Sequence, residues 1–413
     1  MADVTTGQVT ARRWELAIGS DAVNEIHSSG IAGRLLDDIC TSAVRTLDFA
    51  VAADVVSSRE VIAEYPQVLS RCHSLSFNEP AQALAYLAIH VPDRYYRVFQ
   101  ALEALLVRGM LPVGHGTRFA AVDIGAGPGP VIFAVRSFYA ALNHVAGQYR
   151  PAKHVSTLGV ADVVELSDGM NWVMHHFAEH LVMIERAGHV SESSAASSAG
   201  APNPCAAQLA ASATPFGARY ADFSLLDLRR EHNRSRHQIA DELSNELDIS
   251  LQDALRLAYR EPINVPSAYA LILMTNFLTT PDAVPQFRDA IQRLMGTALV
   301  PGGVILVLGA TGAVYQATYV TLDRIAVEVG LRVMDGFDEP LQAGNRPDEH
   351  AMLQVFARRM WHSLVQSADN LRDVQRELRT MRANDIFDES ISLRLPRFQM
   401  RAYRRGALPK PAA

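Results

Sequence analysis

The segment VDIGAGPGP, residues 122–130, has the composition of a ligand-binding turn. An apolar run ends at Asp123, and a helix is predicted to begin near Pro130 after the small residues Gly125, Ala126 and Gly127. Glycines let a backbone turn sharply and approach a ligand more closely than a Cβ atom would allow. A dinucleotide-binding loop requires a small residue at the position of Pro130, so that the helix and the strand can pack closely. The loop therefore favours a ligand without a pyrophosphate, and an ordinary strand-turn-helix is the alternative.

A second apolar run, VADVVELSDGM, ends in the acid Glu165. A carboxylate at the carboxyl end of a strand can accept two hydrogen bonds from a ribose diol, or it can cap the helix that follows. Glu165 lies 40 residues after Gly125, where about 20 is usual for a ribose ligand of this kind. The excess is expected between 144 and 156, provided that the first helix ends near His144.

Two further runs end in polar residues. ARYAD and the following Phe223 place Asp222 after a short strand, and YALILMTNFLTT ends its apolar part at Thr275 and Asn276. Open α/β sheets bind ligands at the carboxyl ends of their strands, so Asn276 is predicted to face the reaction site. The alternatives are that Asn276 satisfies backbone groups of the turn, and that Phe223 belongs to the core.

In this order, over roughly residues 118–310, the four segments resemble those of class I S-adenosylmethionine-dependent methyltransferases. The resemblance implies S-adenosyl-L-methionine as cofactor, with its methionine part on Asp123 and the glycine loop, its ribose on Glu165 and its adenine on Asp222 and Phe223. The implied cofactor residues are Asp123, Gly125, Ala126, Gly127, Glu165, Leu166, Met170, Asp222, Phe223 and Thr275. Asn276 is the candidate catalytic residue, and the resemblance names no acceptor.

The elements that must position these residues alternate as in a doubly wound α/β fold, in which short apolar runs are separated by helices. The predicted strands are RFAAVDI, LGVADVVE, ARYAD, YALILM, GVILVLG and LRVMDG, followed by RFQMRAYRRG as an antiparallel edge. They predict a mostly parallel, seven-stranded sheet in a domain spanning 118–413. Three inserts are predicted: a Ser/Ala-rich surface loop at 191–215, a helical insert at 229–264 and an arginine-rich one at 341–396 with a helix at 369–382.

Residues 1–117 are predicted to form a helical cap, because apolar residues recur there at three- and four-residue steps. Its last helix is expected to open at Pro92, since proline is tolerated in a first turn. Tyr95 and Tyr96 on that helix are candidate substrate-binding lid residues. The alternative is that Tyr95, which lies on the apolar stripe, is core.

Composition disfavours nucleic-acid binding, metal binding and membrane association. The 413 residues carry a formal charge of -6, which disfavours a surface that binds nucleic acid throughout. The three cysteines have no metal-ligand spacing, so no metal is expected. The absence of a signal sequence or a membrane-spanning run predicts a cytoplasmic protein without a membrane partner.

The leading prediction is methyl transfer to a small organic molecule, with a homo-oligomer left open. Two alternatives remain. One is an RNA or protein methyltransferase that uses the arginines between Arg358 and Arg405, and the other is a cofactor-binding partner subunit without catalysis.

Overall fold

A computed structural model describes much of the chain. The described residues are 19–113, 118–149, 155–194, 219–220, 250, 269–275, 277–278, 283–337, 340–342, 347–366, 376 and 397–406. Of the predicted site residues, Asp222, Phe223 and Asn276 lie outside this part. So does the predicted insert at 229–264, apart from Ser250.

The N-terminal part is helical, as predicted. It contains α1 (19–28), α2 (Ile31–Ala52), α3 (Ser58–Arg71), a short 3-10 turn (Cys72–Ser74) and α4 (Pro80–Val107). A capping box starts α3: the Ser57 side chain accepts the Glu60 N–H, and the Glu60 carboxylate accepts the Ser57 N–H.

The predicted helix start at Pro92 is wrong, because α4 begins twelve residues earlier, at Pro80, and passes through Pro92. An interior proline costs roughly 3 kcal/mol because it removes one backbone hydrogen bond. Here the apolar side chains on both sides of Pro92 are buried, among them Leu84, Leu87, Val91 and Val98. Their burial offsets that cost and keeps the helix continuous.

One mixed sheet holds all the described strands. They are β1 (Arg118–Ile124), β2 (Thr157–Val164), β3 (Arg219–Tyr220), β4 (Tyr269–Thr275), β5 (Leu299–Ala310), β6 (Leu331–Val333), β7 (Leu341–Gln342) and β8 (Arg397–Arg405). The order is β3-β2-β1-β4-β5-β8-β6, with β7 also paired to β8. The first five strands in that order pair in parallel, as in a doubly wound fold, and the chain order reverses between β1 and β4.

The predicted seven-stranded form of this sheet is not confirmed, because the sheet has eight described strands and β8 is not an edge. β8 pairs antiparallel with β5 and with β6 and is buried on both faces. The alternating side chains of β8 predicted an edge strand, yet two of its arginines bind backbone carbonyls of the same molecule. Arg401 donates to Phe337 O (3.0 Å) and Arg405 to Met295 O (2.9 Å).

Helices cover both faces of the sheet. They are α5 (Pro130–Tyr149), α6 (Asp168–Ser194), α7 (Ala283–Gln286), α8 (Arg288–Thr297), α9 (Ala313–Glu328) and α10 (Pro347–Gln366). The second hydrophobic core lies against α7, α8 and α9. The first core joins the other face of the sheet to α5, α6 and the N-terminal helices, with α4 on α5 and α2 on α6. The predicted cap region therefore shares one core with the sheet.

Three predicted connections differ from the structure. α5 continues to Tyr149 instead of ending near His144, so it accounts for part of the long spacing before Glu165. α6 continues to Ser194, so the predicted loop at 191–215 begins inside a helix. The predicted insert at 341–396 includes β7 and α10, and α10 packs on α2, α3 and α4. The predicted helix at 369–382 lies outside the described residues except for Arg376, which is helical. None of the described helices has both the length and the apolar composition to cross a membrane.

Candidate active site at the carboxyl edge of the sheet

The glycine loop connects β1 to α5 at the point where the strand order reverses. Gly125 and Gly127 have φ angles of +70° and +55°, a region in which side chains with a Cβ are strained. The N–H groups of Gly125 and Ala126 donate to Val164 O at 2.9 and 3.0 Å, which fixes the loop to the end of β2. A Cβ at Gly125 would lie 2.7 Å from Cδ2 of the Phe277 ring. The loop thus requires glycine at both positions.

Asp123, at the end of β1, is a buried carboxyl group. It is 0% exposed, and neither carboxyl oxygen has a hydrogen-bond partner among the described residues. Burial, and then the nearby charge of Glu165, raise the pKa of Asp123 well above its ordinary value. A buried polar group without a partner is rare and calls for an explanation, such as a ligand that supplies the missing donor. A cationic donor at Asp123 would remove this cost.

Glu165 holds the glycine loop and the start of α6 together. Its Oε2 accepts the Gly127 N–H at 2.7 Å, and its Oε1 accepts the Ser167 N–H at 2.8 Å. The capping role that the sequence left open is therefore present. A carboxylate has about four lone-pair sites, so two bonds leave capacity for a diol. The ribose role of Glu165 stays a prediction.

Leu166 and Met170 follow Glu165 and differ in exposure. Leu166 is 72% exposed, an unusual state for a large apolar side chain, whereas Met170 is 4% exposed and belongs to the first core. An exposed leucine beside Glu165 offers an apolar surface to a flat ring. Met170 serves packing in this structure, and a cofactor contact for it remains a prediction.

A loop before α4 touches the same edge of the sheet. Ser167 Oγ donates to Ser76 O, and a Cβ at Gly169 would lie 2.4 Å from Phe77 O. Phe77 itself has a φ of 53°, the left-handed region that non-glycine residues rarely adopt. The backbone at 76–77 thus packs directly on the start of α6.

Tyr86 on α4 extends that contact to the glycine loop, and sequence reasoning missed it. Its Cε1 lies 4.0 Å from where a Cβ on Gly127 would be, and its ring packs edge-on against Phe77. The Tyr86 hydroxyl lies close to the Arg94 guanidinium. Burial raises the pKa of Tyr86, so its hydroxyl is neutral. Tyr86 therefore joins the glycine loop to Arg94.

A polar stripe on α4 contains Tyr86, His90, Arg94 and Arg97 at steps of four, four and three residues, which is the spacing of one helix face. Burial, and then the charges of Arg94 and Arg97, lower the pKa of His90 to about 3, so His90 is neutral at pH 7. Arg97 forms a two-point ion pair with Asp93, with Nε and Nη2 at 2.8 and 2.7 Å from its oxygens. The predicted start at Pro92 divided this stripe and concealed it.

Thr275 ends β4 and is 8% exposed. It lines a small cavity that also includes Gly309 on β5 and the two α4 arginines, Arg94 and Arg97. Asn276, the next residue, lies outside the described part of the chain. The arginines of α4 thus meet the carboxyl ends of β4 and β5.

The lid prediction for Tyr95 and Tyr96 gains no support. Their exposures are 2% and 3%, and both belong to the first core. The Tyr95 ring lies 6.0 Å from that of Phe99, and the Tyr96 hydroxyl accepts from Gln100 Nε2 at 3.2 Å. Their burial favours the alternative that these rings stabilise the helical region.

One group of metal-capable side chains is present among the described residues. His175, His176 and Glu179 approach one another on α6, with side-chain exposures of 52%, 20% and 54%. His176 also packs against Phe49 and Trp172. Exposed groups of this kind commonly form ion pairs without any metal. This group is therefore not included in the candidate site.

No protein-family model and no curated protein matches the sequence. Among solved structures, the chain is similar to phosphoethanolamine N-methyltransferase 2 of Haemonchus contortus with S-adenosyl-L-methionine, at 11% identity and TM-score 0.32, covering 83% of this chain and 60% of that one. It is similar to loganic acid methyltransferase with SAH at 8% identity and TM-score 0.35, covering 81% and 98%. The [4+2]-cyclase SpnF matches at 8% identity and TM-score 0.31, covering 76% and 82%. These neighbours include both methyltransferases and a cyclase. A shared fold does not determine activity, which depends on the residues of the site.

Proposed function

We propose that this chain is a class I S-adenosylmethionine-dependent methyltransferase that acts on a small organic acceptor. One observation carries the proposal: the carboxyl group of Asp123 is completely buried without a partner among the described residues, two positions before the first of two glycines with positive φ. The methionine part of the cofactor has an ammonium group, which is the donor that such a carboxylate lacks. The ordered motifs of the sequence support the same cofactor.

The remaining residues of this edge fit the other parts of the cofactor. Glu165 would accept the ribose diol with its free lone pairs, and the exposed Leu166 would pack on the adenine ring. Asp222 and Phe223 are proposed for the adenine on the resemblance alone. When bound, the cofactor would supply a methyl group attached to a positively charged sulfur. The sulfur is the leaving group when an acceptor attacks the methyl carbon directly.

The chain's own task is to align the acceptor and to exclude water, which are the main contributions to a direct displacement. Thr275, at the end of β4, is proposed to contact the cofactor, and Asn276 after it is proposed to orient the acceptor. His90 is a weak proton acceptor because its pKa is about 3. An acceptor atom that is already deprotonated, or that loses its proton easily, therefore suits the site better than one that needs a strong base.

The environment of β8 takes two arginines from the basic surface that the RNA and protein alternative used. That reading used arginines between Arg358 and Arg405 as a basic surface, but Arg401 and Arg405 are occupied by backbone carbonyls. A nucleic-acid phosphate backbone binds to exposed, mobile cationic side chains, and this binding releases the counterions of the nucleic acid. The inactive-subunit alternative differs only in turnover.

Calorimetry with the purified chain tests the proposal. We expect S-adenosylmethionine and S-adenosylhomocysteine to bind with one-to-one stoichiometry and NAD not to bind. Methyl transfer is then measured with labelled cofactor on pooled small organic acceptors and on total RNA. Binding of NAD alone contradicts the cofactor assignment, and cofactor binding without turnover on any pool favours the inactive-subunit alternative.

A further inference from the structure

Arg94, which is half-buried, differs from the buried Arg97 of α4. Arg97 has its charge matched by Asp93 through two short hydrogen bonds. Arg94 lies close to the neutral hydroxyl of Tyr86, and its buried Nε has no hydrogen-bond partner in the described part of the chain. A guanidinium has five donors, so most of the hydrogen-bonding capacity of Arg94 is available to a ligand.

The charges around Arg94 do not cancel. Among the described residues, two guanidinium groups face one carboxylate, that of Asp93, which Arg97 already occupies on both oxygens. The titratable neighbours His90 and Tyr86 are neutral at pH 7. Within the described part of the chain, one positive charge is therefore left in half-buried surroundings, where an uncompensated ion is costly.

Arg94 lies apart from Asp123 and Glu165, the residues proposed for the methionine and ribose parts of the cofactor. Asp123 and Glu165 lie at the ends of β1 and β2, whereas the cavity of Arg94 includes Thr275 and Gly309 at the ends of β4 and β5. Tyr315, half-buried at the start of α9, adds a hydroxyl-bearing ring, with Cδ1 3.3 Å from where a Cβ on Gly309 would be. The cavity is too tight for a water molecule, so a ligand at Arg94 requires the side chains that line it to move apart.

We infer that Arg94 binds an oxyanion of the acceptor, so that the substrate is a small organic molecule bearing a carboxylate or a phosphate. The inference rests on the proposed function, because it treats the space over β4 and β5 as the acceptor side of a methyltransferase. A guanidinium fork matches the two oxygens of such a group, and the excess charge stabilises it. An amine or a neutral acceptor would leave Arg94 uncompensated.

The test uses benzoate, inorganic phosphate and the neutral isostere benzamide as probes, titrated into the full chain with and without saturating S-adenosylhomocysteine. We expect wild type to bind benzoate or phosphate at least about tenfold more tightly than Arg94→Gln does, and to bind benzamide no better than the variant. Which anion prefers wild type distinguishes a carboxylate from a phosphate site. Arg332→Gln, a surface arginine with 74% side-chain exposure, is the matched control and should behave as wild type.

Affinity for S-adenosylhomocysteine is measured on the same variants. Arg94→Gln should keep it within about threefold of wild type, since the cofactor is proposed to lie on β1 and β2. Arg94→Lys keeps the charge without the fork and should show intermediate anion affinity, and it carries the test if Arg94→Gln does not fold.

Two results overturn the inference. One is equal binding of both anions by wild type and Arg94→Gln. The other is a loss of cofactor affinity of about tenfold or more in Arg94→Gln, which would assign Arg94 to the cofactor carboxylate. If wild type binds no S-adenosylhomocysteine, the proposed function fails by itself, and the anion titrations without cofactor still decide whether Arg94 forms an anion site.

Discussion

The two ends of the candidate site bury opposite charges. At the ends of β1 and β2 lie two acids, Asp123 and Glu165, while α4 brings Arg94 and Arg97 to the ends of β4 and β5. Tyr86 contacts both ends, through its ring at Gly127 and its hydroxyl at Arg94. The difference implies a division of labour in which a cationic cofactor and an anionic acceptor bind side by side.

The largest effect is expected for Asp123→Asn, which would break the acidic end. Removing one partner of a buried ion pair typically costs about 3 to 5 kcal/mol, so affinity for S-adenosylhomocysteine should fall by roughly two to three decades. Calorimetry measures the loss. Asp335→Asn, at an acid with 92% side-chain exposure, is the matched control and should leave affinity unchanged.

The same variant should not lower the stability of the ligand-free protein at pH 7. An acid whose folded pKa is raised destabilises the fold once pH exceeds its unfolded value, because the unfolded chain ionises first. Replacing Asp123 with a neutral side chain removes that penalty. A melting temperature well below that of wild type would show instead that Asp123 has a structural partner.

The pH dependence of binding sharpens this point. Since burial raises the pKa of Asp123, wild-type affinity should increase as pH rises toward that pKa and then level off. Asp123→Asn should lack this increase. An affinity independent of pH in wild type would mean that Asp123 does not ionise on binding.

The two ends also differ in how far the sequence could predict them. Asp123, Gly125 and Glu165 sit directly at strand ends, so local pattern placed them correctly in the fold. Arg94 and Tyr86 lie on a helix whose start the sequence misplaces at Pro92. Proline is typical of a first helical turn, but here buried packing keeps the helix continuous through Pro92. Local rules decide a loop, whereas the contact of α4 with β4 and β5 depends on tertiary packing.

The same distinction explains β8. Its alternating side chains predicted an edge strand, but β8 pairs on both sides, and Arg401 and Arg405 bind carbonyls contributed by segments distant in sequence. No local pattern could reveal those partners.

Glu165→Ala is expected to have the second-largest effect. It removes the bonds to the Gly127 and Ser167 N–H groups together with the proposed ribose contact, so cofactor affinity should fall by about one to two decades. Glu165→Gln keeps one acceptor oxygen and should recover part of the loss. Unchanged affinity in the alanine variant, measured by calorimetry, would remove Glu165 from the cofactor site.

Tyr86→Phe should separate the two ends with a smaller effect. The ring over Gly127 remains, so cofactor affinity should change by less than about threefold, while benzoate or phosphate affinity should fall by about three- to tenfold as Arg94 loses its hydroxyl partner. Both affinities come from the same titrations. A larger effect on the cofactor than on the anions would contradict the division.

The smallest effect concerns His27, which connects α1 to Glu103 on α4 and to Glu349 on α10 (Nδ1 to Oε1, 2.6 Å). Burial lowers the pKa of His27, but the two carboxylates outweigh it and raise the pKa overall. The stabilisation is complete below the unfolded value of about 6.5 and is lost as pH rises through the folded pKa. The melting temperature of wild type relative to His27→Gln should therefore decline above about pH 6.5, with cofactor affinity unaffected. A constant difference across that range would show that His27 is not charged in the fold.

The most direct measurement is a crystal structure of the chain with S-adenosylhomocysteine. The account predicts the amino group of the ligand within about 3 Å of an Asp123 oxygen and the ribose hydroxyls on Glu165, with Arg94 free of the ligand's carboxylate. A ligand whose carboxylate lies on Arg94, with Asp123 still without a partner, would contradict the division of the site into an acidic cofactor end and a basic acceptor end.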